Sequence, residues 1–431
     1  MSIYSWLLSR FRTLKGLKDR LFWLKSSYLK LLLAVLSAFL VFAFFSVEES
    51  SMLSIATNIK NYGYLTEALA ILILAFSLIK GWSISHTDVT FEKLAPIDNI
   101  SLSTGAYDSC IPLGNQAVIY NHDANLMLEH GNNPLKVIDG KFQLHPLIYQ
   151  LLPVFIMKMP EARLDTSDDA KVRLASDIDL NLICNDSPVN VQRTSYFRDR
   201  LSNTLANYLV KLDGRVILDL RNTEVITREG YFYSLRESSL SNQLGGSVLL
   251  FTADATIIVL SQGNRTAENA GRLAPAGSGS FDPLSDKAME AMTFQDYARQ
   301  EISRELTEEC GLKKSDLHNV QLCGFGRYLY RNGKPEVFGI ATTTKTSNEI
   351  KVPVREWDYQ QKRVKIIPLW GDLSKDSAIS ALKKMVEDIE NKVEGFENTS
   401  APLYWNVLFA KHYLEHINKQ DADRLFGLYH S

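Results

Sequence analysis

Arg304-Glu305-Leu306-Thr307-Glu308-Glu309-Cys310-Gly311-Leu312 decides how the rest of this chain is read. It has the form of the last turns of a helix that stops at Gly311, because glycine adopts the left-handed conformation a helix end often requires. Glu305, Glu308 and Glu309 stand at i, i+3 and i+4 and share one face, with Glu301 one turn earlier. Ile302, Leu306 and Cys310 form a separate apolar stripe suited to packing on a core. Like charges at i,i+4 destabilise a helix by roughly 0.2–0.5 kcal/mol per pair. Glu301–Glu305 and Glu305–Glu309 both carry that penalty, with Arg304 the one evident counter-charge. A hard divalent cation would relieve such a cluster. A solvated acidic face is the other reading.

Working outward, Thr293 is a suitable N-cap for this helix. Ahead of it, Pro275-Ala276-Gly277-Ser278-Gly279-Ser280 reads as a glycine-rich loop able to bring backbone groups close to a ligand or metal. Arg265 and Arg272 flank it and are candidates for phosphate contact, because guanidinium binds phosphate in a bidentate fork. Earlier still, Val248–Phe251 and Ala255–Leu260 read as a strand hairpin around Ala253-Asp254. The spacing of Phe197, Leu201, Leu205 and Leu209 predicts an amphipathic helix over Thr194–Leu212, followed by a strand at Val216–Leu220. After the acidic helix, Val320–Tyr330 and Glu336–Thr344 flank Arg331-Asn332-Gly333-Lys334-Pro335, a strong hairpin turn signal. The tail over residues 377–419 predicts two or three helices.

The first thirty residues hold Arg10, Arg12, Lys15, Lys18, Arg20, Lys25 and Lys30 against Asp19 alone. Leu7, Phe11, Leu14, Leu21 and Leu24 recur among them at helical spacing, the pattern of an amphipathic helix lying on a membrane face. Apolar runs then cover residues 31–47 and 64–82. Roughly 17–25 residues of this character span a bilayer core, so a two-helix transmembrane hairpin is expected. The basic leader and the poorly charged connector at 48–63 place both termini in the cytoplasm and the connector outside. The second run is difficult to reconcile with a cleaved secretory signal.

The 431 residues imply two or three structural units. We divide the chain into a leader (1–30), two membrane helices (31–47 and 64–82), a β-containing segment (96–190), an α/β domain (191–370) and a helical C-terminal segment (371–431). A net charge of −2, with the positive charge gathered beside the apolar runs, argues against a nucleic-acid-coating role. Cys110, Cys184, Cys310 and Cys323 lack metal-type or redox-type spacing and read as free thiols. His412-Tyr413-Leu414-Glu415-His416 fits an inverted zinc-peptidase pattern, but too little chain follows for the third ligand.

The order of strand hairpin, glycine-rich run, carboxylate helix and second hairpin resembles the Nudix hydrolase superfamily. Residues 304–312 match the back half of that family's signature at every defined position. The resemblance implies an α/β/α sandwich around a mixed sheet. It further implies that Glu305, Glu308 and Glu309 coordinate Mg2+ or Mn2+ and that Arg304 orients a carboxylate. The front half departs from the pattern: family spacing would put a glycine at Glu290 and a glutamate at Asp296, while the glycines sit further back at Gly277 and Gly279.

With the membrane hairpin, the whole layout resembles the transmembrane Nudix effectors of bacterial cyclic-oligonucleotide anti-phage signalling (CBASS). That resemblance implies a cyclic nucleotide second messenger made by a partner nucleotidyltransferase, a homo-oligomer in the inner membrane, and membrane disruption as the output. The alternative is a membrane-anchored pyrophosphohydrolase acting on a nucleotide or lipid-linked diphosphate.

Overall fold

The structure is a computed structural model that describes residues 89–97, 106–150, 168–262, 271–352 and 363–427. The leader, both apolar runs and Arg265 lie outside the described residues. No helix among the described residues is long and apolar enough to cross a membrane.

β1 (Val89–Lys93) opens the described chain. β2 (Ser109–Leu113) and β3 (Gln116–Tyr120) pair across a turn at Gly114. β4 (Leu135–Lys141), β5 (Ala170–Leu174) and β6 (Val189–Ser195) form a small sheet in the order β4-β6-β5. β7 (Tyr208–Leu212) and β8 (Arg215–Leu218) make a second small sheet with β1. Next come β9 (Gly245–Phe251), β10 (Thr256–Ser261), β11 (Leu273–Pro275) and β12 (Gly277–Ser280). β13 (Leu317–Tyr328), β14 (Lys334–Thr343) and β15 (Arg363–Pro368) complete the set.

The central sheet runs β11-β10-β9-β14-β13-β3-β2, with β12 also on β9 and β15 also on β10. β9 and β14 are parallel, from Glu336 opposite Gly245 to Thr342 opposite Phe251, while the other pairs are antiparallel. The sheet is therefore mixed. Its strands are apolar on both faces, as a sheet covered on both sides requires. On one face, Val248, Leu250, Ile258 and Leu260 pack with Ile302, Leu306 and Cys310 of the acidic helix. On the other, Leu249, Phe251, Ile257 and Val259 pack with Trp405, Phe409 and Leu382. Period-two alternation along one strand thus feeds two separate helical layers. The second layer consists of the helices Lys375–Glu390, Ala401–His416 and Lys419–Leu425, as the tail predicted.

Three expectations are corrected. The helix expected over Thr194–Leu212 ends at Asn207, and Tyr208–Leu212 is strand β7, drawn into register with β1 from Val89 opposite Leu212. Tertiary pairing overrides the helical spacing of Leu209. Part of that helix, Arg200–Thr204, has π-helical bonding. The glycine-rich run is a strand rather than a loop: Gly277 to Ser280 pair with Val248 to Gly245. Residue 190 is not a structural boundary, because β6 runs across it and β2–β3 join the central sheet through β13. The free-thiol reading of all four cysteines agrees with the structure.

Candidate functional site

Thr293 caps the acidic helix, its hydroxyl accepting from Asp296 N at 3.1 Å, and Gly311 closes it at φ 66°. The apolar stripe is buried, Leu306 and Cys310 completely. Most of the acidic side is buried too, with Glu301 at 2%, Glu305 at 8% and Glu309 at 7% exposure, while Glu308 is half-exposed, so the face as a whole is not a solvated one. β12 makes that possible. A Cβ on Gly279 would stand 2.2 Å from a Glu305 carboxylate oxygen, and one on Gly277 would stand 3.0 Å from Leu306 N. The two glycines let the helix lie against the strand.

Arg304 organises the carboxylates. It donates to Glu301 at 3.0 Å, to Glu305 at 2.7 Å, to Glu308 at 3.1 Å and to the Ser280 carbonyl at 3.3 Å, with Asp282 3.5 Å away. Burial works against its charge, but Glu305, Glu301, Asp282 and Glu308 outweigh that and raise its pKa. Burial pushes the Glu305 carboxyl up to about 8, and Glu309 adds to the effect while Arg304 opposes it. Burial likewise raises Glu301, against hydrogen bonds from Asp282 N and Arg304. Asp282 N donates to Glu301 at 2.8 Å, and Lys171 pairs with the Asp282 carboxylate.

The three glutamates implied as metal ligands do not present a converging donor set. Glu305 and Glu308 are held by Arg304, while Glu309 accepts from Ser278 N at 3.2 Å. Among the described residues no group of three ligand-type side chains is placed to hold a metal. As arranged, these carboxylates fit Arg304 rather than a divalent cation. Asp296, at the position of the family's further glutamate, is in the first turn and pairs with Arg299 at 3.0 Å. The buried carboxylate that joins the cluster from the N-terminal side is Glu301.

Beside this cluster a cleft of about 310 Å³ opens over β12. Ser278, Gly279, Ser280 and Glu309 form one side of it. Arg200, Arg331 and Lys334 bring positive charge, and Tyr196, Tyr328 and Tyr330 bring aromatic surface. Gln243, Ser247, Gln262 and Glu336 complete its polar lining, and Ser400 and Pro402 reach it from the C-terminal layer. Arg331 is held by Asp199 at 3.0 Å, and Arg200 lies over the Tyr196 ring at 5.2 Å while donating to its hydroxyl. Lys334 and Glu336 form a buried pair at 2.7 Å, with Ser247 donating to Glu336 at 2.9 Å.

Of the residues singled out in the sequence, Gly279 and Glu309 line the cleft, whereas Gly277 only supports the helix and Arg272 is exposed and does not line it. The cationic residues lie elsewhere, on the β13–β14 turn and the π-helical segment. A signal for the first was present: Tyr328-Leu329-Tyr330-Arg331-Asn332-Gly333-Lys334 packs two cations and two tyrosines around one turn. Arg200 had none, because only the fold brings it there.

No family model matches the chain, and no curated protein does. Among solved structures, the chain is similar to the MutT protein from Methanosarcina mazei Go1, at TM-score 0.24 and 14% identity over 41% of this chain and 96% of that one. It is also similar to DR0079 from Deinococcus radiodurans, at TM-score 0.22 and 7% identity over 37% of this chain and 88% of that one. Likenesses this weak carry no conclusion about the site.

Proposed function

We propose that this chain is a membrane-tethered nucleotide sensor whose Nudix-like domain binds a cyclic nucleotide second messenger in the cleft over β12. The observation that carries this reading is the lining: three cations and three tyrosines meet in one cleft beside the acidic helix. Phosphate groups suit arginine and lysine, and base faces suit tyrosine. The fixed engagement of Glu305 and Glu308 by Arg304 favours binding over turnover. In this reading the apolar runs at 31–47 and 64–82 cross the inner membrane with both termini cytoplasmic. A homo-oligomer disrupts that membrane when the ligand, made by a partner nucleotidyltransferase during phage infection, is bound. Binding shifts the output only through a difference in affinity between two states.

One observation favours the pyrophosphohydrolase alternative: Glu309, next to buried Glu305, is on the cleft wall. The two readings separate in liposomes carrying the full-length chain. The sensor reading expects dye leakage on adding cyclic dinucleotides, preserved in Glu308→Gln, which lies outside the cleft lining; the hydrolase reading expects turnover that both Glu308→Gln and Glu309→Gln abolish. Mg2+- or Mn2+-dependent turnover that is lost in those variants, with no leakage under any cyclic dinucleotide, would overturn the sensor reading.

A further inference from the structure

β1 enters its small sheet beside the tip of the β7–β8 hairpin: Val89 stands opposite Leu212, and Leu212 opposite Arg215. Asp213 and Gly214 close that hairpin at φ 49° and 75°, the paired positive values of a two-residue turn. At the other end of β1, Leu94 N donates to the Asn207 carbonyl at 2.9 Å. Asn207 in turn donates to the Tyr330 carbonyl at 3.2 Å, on the β13–β14 turn. The base of this sheet is thus fastened to the body, and its tip is the end at which the chain arrives. Residues 213–216 are exposed without a break, Val216 at 52%. A lone exposed valine needs no explanation by itself. Its place in the chain is what gives this one meaning.

We propose that the Asp213–Val216 tip is the lipid-facing pole of the fold and rests on the phospholipid headgroup layer. The inference rests on the reading of residues 64–82 as a membrane helix and deepens it by naming the surface that meets the bilayer. Seven peptide steps separate Trp82, the end of that run, from Val89. At full extension they span at most about 25 Å. A compact unit of about 300 residues is roughly 50 Å across. The tether is short against that width, so the surface held to the bilayer is the one around Val89, where the tip lies. Trp370 is more exposed, at 66%, but it follows Leu369, whose N donates to the Ala255 carbonyl at the β9–β10 turn. That turn is at the far end of β14, whose ten residues run about 33 Å from the β13–β14 turn. At the tip, Val216 supplies apolar contact and Arg215 a guanidinium fork for lipid phosphate. Asp213 serves the turn conformation, and Lys211 is taken by Glu92.

The test places the photoreactive amino acid p-benzoylphenylalanine at Val216, at Arg215 or at Trp370 of the full-length chain. Each variant is reconstituted in liposomes of phosphatidylethanolamine and phosphatidylglycerol, irradiated and analysed by mass spectrometry. All three positions are exposed, so the variants should melt as wild type does, and the second tip position guards against a fault in the first. Lipid adducts are expected at positions 215 and 216 and not at 370. Adducts no more frequent at the tip than at 370 would overturn the inference. So would cross-links from the tip to a second copy of the chain in place of lipid. Either result leaves the membrane reading standing when the chain stays with the lipid through alkaline carbonate. A chain that carbonate releases from the liposomes overturns the membrane reading itself.

Discussion

Glu305→Gln tests the electrostatics of the acidic helix directly. The Glu305 carboxyl is buried against β12 and its pKa rises from 4.5 to about 8. In the unfolded chain it ionises near the ordinary carboxylate value, so between about pH 4.5 and 8 the unfolded state releases a proton that the folded state keeps. The folded state loses stability as pH rises through that window, and the loss is complete above it. At about 1.4 kcal/mol per pKa unit, the penalty at pH 8 has an upper limit of roughly 5 kcal/mol. Glutamine removes the ionisable group but weakens the 2.7 Å contact with Arg304. A hydrogen bond to a charged group contributes about 1.5–3 kcal/mol, so a net gain of about 1–3 kcal/mol at pH 8 is expected. Below about pH 4.5 the gain should vanish or reverse, because the wild-type carboxyl is then neutral in both states. Thermal melts of the full-length chain and Glu305→Gln from pH 4 to pH 8.5 measure this. A variant that is less stable than wild type at pH 8, by the same margin as at pH 4.5, would refute the reasoning.

Gly279→Ala should cost about 1–3 kcal/mol, because its Cβ meets the Glu305 carboxylate at 2.2 Å. In a Glu305→Ala background most of that cost should disappear, and a double-mutant cycle on melting temperature reads the coupling. Removing one partner of the buried Lys334–Glu336 pair, as in Glu336→Leu, should cost about 3–5 kcal/mol by urea unfolding, because it leaves Lys334 charged and buried. His412 is held low, at about 4, by burial and by His416 and His122. Its unfolded value of 6.5 means that stability falls as pH drops from 6.5 towards 4. Its partial exposure limits the loss to about 1 kcal/mol, and His412→Asn should flatten that part of the melt-versus-pH curve.

Much of the architecture is local in origin and was legible before any tertiary contact. The Thr293 cap, the Gly311 stop and the Arg331–Lys334 turn, with Asn332 at φ 52° and Gly333 at φ 81°, follow from residue type at short range. The apolar runs Val248–Phe251 and Ala255–Leu260 marked the strands β9 and β10, which the structure buries on both faces. The buried stripe Ile302–Leu306–Cys310 was equally plain, because helical spacing puts those residues on one side.

Other features could not be read that way. Phe197, Leu201, Leu205 and Leu209 keep helical spacing, yet pairing with β1 converts the last into strand, since long-range hydrogen bonding outweighs propensities of a few tenths of a kcal/mol. Gly277 and Gly279 looked like a ligand loop, whereas they are the strand that admits the acidic helix. The sequence by itself determined the helix, its carboxylates and the arginine, Arg304, that stands among them. Tertiary structure alone decided that Glu301, Glu305 and Glu309 are buried and that Arg304 gathers Glu301, Glu305 and Glu308. It alone placed Arg200, Gln243, Tyr328 and Lys334 around one cleft. Spacing along a chain sets which face a side chain takes, but burial and partner distance, which govern charge and binding, arise when distant segments pack together.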